Sequence, residues 1–281
     1  MWNIPLLLRL IPRCLSAAHA TLGTHPFSRL DVLVVPSNFS SLGMDSPHII
    51  FLSQSILPGG SSLCGTRLCH EIAHAWFGLA IGARDWTEEW ISEGFATHLE
   101  DVFWSFAQQL PCNEAREQEE LKALLRWRRL RDEVLNSEKE LQVLRPNREN
   151  TGEVSESGAS VIKHGLNAEK IFMQVHYLKG YFLLRSLASR VCEDTYFAFL
   201  RKFVQRFHGE LILSQVLHLC LFPNLLKNRP CDLEGIDGVH PSLVSQDGNL
   251  GVLLDPLLHL EHQVLAVARS TFHQLDQVRR L

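Results

Sequence analysis

The sequence predicts a mainly α-helical fold with a small β portion. Apolar residues recur at helical spacing through much of the chain, whereas strand signals are confined to two short apolar runs. One of the predicted helices also contains the segment His-Glu-Ile-Ala-His, so the helical part of the fold is expected to carry the chemistry. The predicted helical stretches are residues 6–22, 63–78, 87–110 and 168–208.

The first predicted helix covers an amino-terminal apolar run that contains two arginines, Arg9 and Arg13, and no acidic residue. A secretory signal has its basic residues before its apolar core, whereas these arginines interrupt and follow the core. The run is also too short to span a membrane. A mitochondrial presequence is an alternative, because such segments contain arginine and lack acids. We expect instead, within residues 1–28, a helix that is normally internal to a longer protein.

Two short strands are expected after this helix. Residues 30–36 form an apolar, β-branched run bounded by proline, which predicts a buried strand, and residues 49–52 predict a second strand. Between the two runs, residues 43–47 combine glycine and proline with polar side chains, a composition typical of an exposed turn.

The later elements are predominantly helical and differ in composition. Residues 87–110 predict a helix or helix pair that carries Glu93. Residues 113–148 are dense in Glu, Arg and Leu, which predicts exposed helices over the site. Residues 150–160 are polar and contain Gly and Ser, so a flexible loop is expected there. Strong helical periodicity returns at residues 168–208.

The helix predicted at residues 63–78 carries the pattern of a metal site. Residues four apart share one face of a helix, so His70 and His74 can present two imidazoles to one metal ion. Glu71 follows His70 directly, so its side chain lies one position further round the helix. There it can reach a water molecule on the metal ion without being a ligand. A third ligand is expected from Glu93 on the next helix. Two histidines, one carboxylate and an open position form a catalytic zinc site, whereas structural zinc usually has four protein ligands.

A chance match is the alternative, because a His-Glu-x-x-His string occurs on many helices. The residues around it are largely apolar, so His70, Glu71 and His74 are expected to be polar groups in a buried segment. Buried polar groups require partners, and one metal ion would satisfy all three side chains. We therefore expect one Zn²⁺ ion per chain.

Four segments, in the same order along the chain, resemble the zinc aminopeptidases with a thermolysin-like catalytic domain, which include aminopeptidase N, aminopeptidase B and leukotriene hydrolase. Three of the segments match the family closely: the strand at the start, HEIAHAWFG with WISEGF, and Tyr-Leu-Lys-Gly. Gly-Met-Asp-Ser-Pro matches more weakly, because the family has Gly-x-Met-Glu-Asn there. The resemblance implies a thermolysin-like zinc peptidase catalytic domain at residues 29–214. The four segments are residues 29–36, 42–47, 70–95 and 175–180.

The resemblance also implies a role for each matched residue. Zinc would activate water and polarise the peptide carbonyl group, with Glu71 as general base. Tyr177 would donate a hydrogen bond to the oxyanion, although an ordinary core tyrosine is the alternative. Asp45, one methylene shorter than the family's Glu, would bind the ammonium group of a peptide substrate with a free amino terminus. The backbone of Gly43 and Met44 would lie beside this substrate as an edge strand.

The resemblance ends near residue 214, and residues 215–281 are expected to form a divergent tail of unknown role. The sequence shows no match to the family's N-terminal β domain or C-terminal helical domain, so we expect a truncated or alternatively spliced form with weak aminopeptidase turnover. A catalytically impaired zinc-binding or partner-binding form is the alternative, with a protein partner covering the surface left by the missing domains. An endopeptidase is disfavoured, because the Asp45 segment blocks one end of the cleft in relatives.

The composition bounds the possible partners and location. The formal net charge is −4 and no broad basic field is present, which argues against nucleic acid as the main partner. The seven cysteines are scattered and form no Cys-x-x-Cys pair, a usage that predicts reduced thiols and a cytoplasmic or nuclear location. Cys69 adjoins His70, but adjacent helix residues face different directions, so we expect its thiol to pack in the core.

Overall fold

The structure is a computed structural model, and it describes residues 4–39, 41–135, 144, 153–154, 160–161, 166–190 and 193–217. Most of the predicted loop at 150–160, and the tail from residue 218 onward, therefore lie outside the described residues. Residues 153–154 and 160–161 of the loop region form two short paired strands.

The described chain is mostly helical with a small sheet, which confirms the predicted fold class. Two 3₁₀ turns, Gln54–Gly59 and Trp86–Glu88, lead into the second and third helices. The helices are α1 (Ile4–Leu22), α2 (Gly60–His74), α3 (Glu89–Gln108), α4 (Cys112–Leu135), α5 (Leu166–Ser189) and α6 (Glu193–Phe207). The strands are β1 (Asp31–Val35), β2 (Gly43–Ser46), β3 (Ile49–Ser53), β4 (Gly82–Ala83), β5 (Glu153–Val154), β6 (Ser160–Val161) and β7 (Leu211–Ile212).

The three-stranded sheet has the order β1-β3-β2, with β1 parallel and β2 antiparallel to β3. Gly43–Ser46 is therefore an edge strand, as the resemblance implied for Gly43 and Met44, and the alternative of a plain turn is wrong. The turn itself is confined to the link between β2 and β3, where His48 has a φ of 71°. The expectation that the first strand is buried is also wrong. Leu33 in β1 is 48% exposed, because Val32 and Val34 face the core and Leu33 points to the opposite face of the sheet.

The predicted helices are present, with different boundaries. The amino-terminal helix is confirmed as α1, and α2 begins at Gly60, three residues earlier than expected. α3 is one continuous helix and not a pair, whereas the periodic region at 168–208 is divided into α5 and α6. α4 is less exposed than its composition suggested, because Ala123 and Leu130 face inward and are buried.

The core surrounds α2 and α3. Ile72 and Phe77 from the α2 region pack with Phe95 and Leu99 of α3, and each of these side chains is fully buried. Burial of an aromatic or large aliphatic side chain contributes roughly 1.5–3 kcal/mol, so this packing holds the histidine-bearing helix inside the protein. No helix in the part of the chain that the structure describes is both long enough and apolar enough to cross a bilayer.

Two glycines allow α3 and α5 to cross in close contact. A Cβ atom on Gly94 would lie 2.8 Å from the Cα of Gly180, and a Cβ on Gly180 would lie 2.7 Å from the Cα of Gly94. Both contacts are with backbone, which cannot rotate away as a side chain can. The crossing adjoins Glu93 and lies one helical turn from Tyr177, so it brings these two predicted site residues together.

Candidate metal centre

The end of α2 places three polar side chains in the protein interior. His70, Glu71 and His74 are 2%, 3% and 5% exposed. The chain then turns back at Gly78, whose φ of 129° lies in a region that side-chain-bearing residues rarely adopt. A Cβ at Gly78 would lie 2.7 Å from the hydroxyl oxygen of Ser92, so the tight turn also lets α3 approach the end of α2.

The two imidazoles and one carboxylate converge on a common point. The Nε2 atoms of His70 and His74 are 3.2 Å apart. The Oε2 atom of Glu93, from α3, lies 3.5 Å from the first and 3.4 Å from the second. The structure thus brings together the three residues predicted as metal ligands.

Hydrogen bonds on the far side of each ring determine which nitrogen carries the proton. The Nδ1–H of His70 donates to Oε2 of Glu100 at 2.8 Å, and the Nδ1–H of His74 donates to the Phe77 carbonyl at 3.0 Å. With Nδ1 bonded in this way, Nε2 is the atom through which each ring would bind a metal ion in its neutral form. The two Nε2 atoms face one another and Glu93, as in sites where such histidines bind a metal.

The charges around the site favour a cation. Burial lowers the pKa of His74, but the Glu93, Asp45 and Glu71 carboxylates outweigh this effect and raise that pKa to about 10. Burial likewise raises the pKa of Glu93, and the imidazoles of His74 and His70 reverse the shift and hold this pKa well below its usual range. Within the described residues, Oε2 of Glu93 is buried without a hydrogen-bond partner. A divalent cation therefore fits this donor set.

Glu71 lies beside the three candidate ligands and has different surroundings. Burial raises the pKa of its carboxyl group, although His70, His74 and Arg67 oppose the shift. The Arg67 guanidinium is 3.5 Å from Oε1 of Glu71, one helical turn away. A raised pKa suits a carboxylate that must accept and then release a proton near neutral pH.

The edge strand β2 approaches Glu71 from the other side. A Cβ on Gly43 would lie 2.1 Å from Oε1 of Glu71, so only glycine fits here without displacing that side chain. Met44 is 48% exposed. Asp45 has a carboxylate oxygen within 4.8 Å of both Glu71 and a ring nitrogen of His74. Burial is the main cause that raises the pKa of Asp45.

Tyr177 comes from α5 and covers the site. Its ring stacks on that of His70, with centroids 5.8 Å apart and planes 13° from parallel. Burial, the charge of Glu93 and a hydrogen bond to the Glu93 carboxylate all raise the pKa of the hydroxyl group. The hydroxyl group therefore stays protonated and can act as a hydrogen-bond donor.

Glu100 is a site residue that the sequence interpretation missed. It accepts the hydrogen bond from His70, and its own pKa falls to about 2, because burial is outweighed by the nearby Arg126 charge and by His70. Glu100 follows Glu93 by seven residues, two turns along α3, so both side chains lie on one face of that helix. This seven-residue spacing could have pointed to Glu100 from the sequence. No such spacing connects Glu100 with Arg126 of α4, so their contact could not be predicted in that way.

Comparison with known proteins bears on this site. Residues 8–221 match the Peptidase family M1 domain. Human Aminopeptidase O is 69% identical over 242 residues, which cover 86% of this chain and 29% of the human protein. This likeness agrees with the sequence motifs, since Gly-Met-Asp-Ser-Pro and Cys-His-Glu-Ile-Ala-His-Ala most resemble that branch of the family. Rat Aminopeptidase B is 28% identical over 235 residues, covering 82% of this chain and 32% of the rat protein.

Solved structures share the fold. Yeast LTA4 hydrolase in complex with bestatin superposes with a TM-score of 0.64 at 19% identity, covering 77% of this chain and 32% of the hydrolase. An M1 zinc metallopeptidase from Deinococcus radiodurans superposes with a TM-score of 0.53 at 21% identity, covering 77% and 41%. The chain spans less than a third of the length of the aminopeptidases that it resembles in sequence. The motifs, the helical fold and the match at residues 8–221 lead to one conclusion: the chain belongs to peptidase family M1.

Proposed function

We propose that residues 29–214 form the catalytic unit of a zinc aminopeptidase that hydrolyses the N-terminal peptide bond of short peptides. The observation that carries this proposal is the convergence of His70, His74 and Glu93, with both Nδ1 atoms already bonded elsewhere. The names of the M1 relatives, as aminopeptidases and zinc metallopeptidases, support it.

The proposed ligands of one Zn²⁺ ion are the Nε2 atoms of His70 and His74 and the carboxylate of Glu93. Three protein ligands leave a position open, as in catalytic zinc sites. When bound, zinc would supply Lewis acidity, which makes a water molecule acidic at neutral pH and polarises a carbonyl group.

Glu71 is the proposed general base. Its carboxylate would accept a proton from the attacking water and then deliver it to the departing amine. The raised pKa supports the role of base, because a carboxylate with an ordinary pKa is a weaker acceptor for the proton of the attacking water. The contact with Gly43 holds the side chain against the strand that would lie beside the substrate.

Tyr177 is the proposed donor to the carbonyl oxygen. Its hydroxyl group lies near Glu93, and its ring is held by stacking on His70. A donor placed before reaction begins stabilises the negative charge that develops on that oxygen, and removal of one such donor typically slows turnover by about 10²–10³.

β2 is the proposed binding strand for the substrate. It is an edge strand of the described sheet, so an extended peptide can pair with its backbone at Gly43 and Met44. Asp45 then lies near the metal ligands, where its carboxylate would bind the substrate's ammonium group. An anchor for the free amino terminus at this distance would restrict cleavage to the first peptide bond.

A zinc-binding form with impaired catalysis is the second candidate. Asp45 is one methylene shorter than the Glu that the family motif carries, which reduces its reach, and small errors in substrate position can slow catalysis strongly. In this case the chain would bind zinc and a protein partner without efficient turnover. A cytoplasmic or nuclear location is proposed for either function, supported by the free thiols of Cys14, Cys64 and Cys69.

The Glu71→Gln variant separates these candidates. For an aminopeptidase, the variant keeps about one zinc per chain and loses turnover of a peptide with N-terminal arginine or leucine, because an amide cannot accept the proton. The parent chain and a chelator-treated sample serve as controls. Turnover in the variant equal to that of the parent would refute the role of Glu71, and no turnover in a zinc-loaded parent would favour the second candidate.

A further inference from the structure

α4 presents two cations to the helix that supports the metal site. Lys122 and Arg126 are four residues apart and share one face of α4 with the buried Ala123 and Leu130. The apolar residues of this face pack against α5, and the two cations reach across to Glu100 and Asp101 of α3, which are both buried. α4 therefore places positive charge where α3 carries two adjacent carboxylates.

Arg126 contacts both carboxylates. Its guanidinium group donates to Oε1 of Glu100, and it also donates to both carboxylate oxygens of Asp101, one of them at 3.2 Å. The other oxygen of Glu100, Oε2, is the one that accepts from His70 at 2.8 Å. A continuous line of hydrogen bonds therefore runs from Arg126 through Glu100 to a predicted metal ligand.

The guanidinium group is itself held in place. It lies 4.3 Å above the centre of the Tyr181 ring from α5, and the hydroxyl group of that tyrosine accepts a hydrogen bond of 3.0 Å from Arg185. The Arg126 side chain is 14% exposed, compared with 52% for Arg131 on the same helix. Arg126 thus occupies a defined position between α3 and α5 and does not extend into solvent.

Lys122 provides an internal comparison. Its ammonium group donates to Asp101 at 3.0 Å, and the structure gives it no bond to Glu100. Loss of Lys122 therefore removes one ion pair between α4 and α3 but leaves the line from Arg126 to His70 intact. The two cations have similar burial, 20% and 14% exposed, and differ in this connection.

We propose that Arg126 is a positioning residue of the metal centre, which fixes the Glu100 carboxylate so that Glu100 orients His70 toward the metal. This inference rests on the zinc site proposed above. Without the guanidinium group, Oε1 of Glu100 would lose the donor that fixes it, and the carboxylate would be free to turn away from His70. The His70 ring would then lose the acceptor that fixes its orientation and strengthens its basicity, an effect that typically weakens metal affinity by about 10–100-fold.

Zinc affinity, measured by competition with a chromophoric chelator, tests the inference. Arg126→Gln and Glu100→Gln are each expected to weaken zinc binding by about 10–100-fold. The double variant is expected to be no weaker than the weaker single one, because both changes interrupt the same line. Lys122→Met is expected to bind zinc as tightly as the parent, although it lowers the melting temperature of the metal-free chain.

Arg126→Lys keeps the experiment decisive if the glutamine variant does not fold. Lysine retains the charge but cannot contact Glu100 and Asp101 together, so zinc affinity is expected to lie between those of the parent and Glu100→Gln. The visible spectrum of the cobalt-substituted protein provides a second measurement, which is expected to change in Arg126→Lys and not in Lys122→Met.

Parent-like zinc affinity in Arg126→Lys would overturn the inference. So would additive losses in the double variant, or a loss of zinc in Lys122→Met as large as that in Arg126→Lys. The proposed zinc site has its own control in His74→Ala. If that variant and the parent bind zinc equally well, the metal site itself is wrong. If His74→Ala loses zinc while the Arg126 variants keep it, only the role of Arg126 is refuted.

Discussion

The position of each candidate catalytic side chain depends on a specific neighbour. Glu71 lies against Gly43, where the missing Cβ leaves the space that its carboxylate occupies. Tyr177 lies over the His70 ring, with its hydroxyl group near Glu93. Small displacements of reacting groups reduce rates strongly. Substitution of these neighbours should therefore alter turnover, just as substitution of the site residues does.

Tyr177→Phe tests the proposed oxyanion donor. The variant keeps the ring that stacks on His70 and loses the hydroxyl group, so zinc content is expected to stay at that of the parent. Turnover is expected to fall by about 10²–10³, the usual effect of removing one such donor. Tyr196→Phe is the matched control, because the Tyr196 hydroxyl is buried without a hydrogen-bond partner in the described part of the chain. Parent-like activity of Tyr177→Phe would make this tyrosine structural.

Gly43→Ala tests the placement of the general base. The added methyl group would meet the carboxyl end of Glu71, and this flexible side chain must move away. A displacement of about 1 Å can lower turnover by about 10²-fold, so we expect a loss of this order with zinc binding and melting temperature nearly unchanged. Leu42→Ala, at the adjacent half-exposed position, is the control. Unchanged turnover of Gly43→Ala would show that Glu71 is free to reposition without consequence.

The residues that could be predicted are those whose partners lie close in sequence or in a known motif. His70 and His74 follow from the four-residue spacing on one helix, and Glu93 from its place on the next predicted helix. The location of Tyr177 beside them could not be derived from periodicity alone, because it depends on the crossing of α3 and α5. The role of Arg126 could not be predicted for the same reason, since the composition of a helix does not show which of several arginines turns inward.

The contacts between elements explain why the site residues from α2, α3 and α5 meet. α2 supplies two candidate ligands and the candidate base, and α3 supplies Glu93 and Glu100. The close approach of α5 requires glycine in both helices, because a Cβ on either glycine would lie within 2.8 Å of the other's Cα. The burial of the first strand was misjudged at this scale, since an apolar run does not reveal whether other elements cover both faces of the sheet.

Gly180→Ala and Gly94→Ala test this helix crossing. In an exposed helix, a change from glycine to alanine stabilises by about 1 kcal/mol, because alanine has the higher helix propensity. Here the added methyl group meets backbone at 2.7 Å or 2.8 Å, so we expect a net loss of about 1–3 kcal/mol in the free energy of unfolding. Denaturant unfolding of each variant provides the measurement.

Leu125→Ala is the control for these glycine variants, because this leucine is 56% exposed on α4. Its effect is expected to stay within about 0.5 kcal/mol, as for most surface substitutions. An increase in stability for either glycine variant would show that α3 and α5 are not packed in backbone contact. The proposed placement of Tyr177 would then lose its structural basis.

At the scale of the whole molecule, metal binding and folding are expected to be coupled. The candidate ligands lie on two buried helices, so the unfolded chain has no comparable site. A ligand that binds only the folded state stabilises by an amount that grows with the logarithm of its concentration, about 4 kcal/mol at 1,000 times its Kd. The same buried charges that favour a cation should therefore make the metal-free chain less stable.

Chelator treatment tests this coupling. Removal of zinc is expected to lower the melting temperature, and addition of zinc should restore it. Glu71→Gln should show the same shift as the parent, because Glu71 is not a proposed ligand. A melting temperature that does not respond to zinc in the parent would contradict the assignment of the buried cluster as a metal site.

The metal content of the purified chain tests the central claim most directly. If His70, His74 and Glu93 hold one ion, elemental analysis after dialysis should find about one zinc per chain in the parent and in the surface variant His19→Ala. His74→Ala should contain almost none, because loss of one imidazole from three protein ligands removes most of the affinity. Full zinc retention in His74→Ala, or a parent that binds no zinc, would contradict the account.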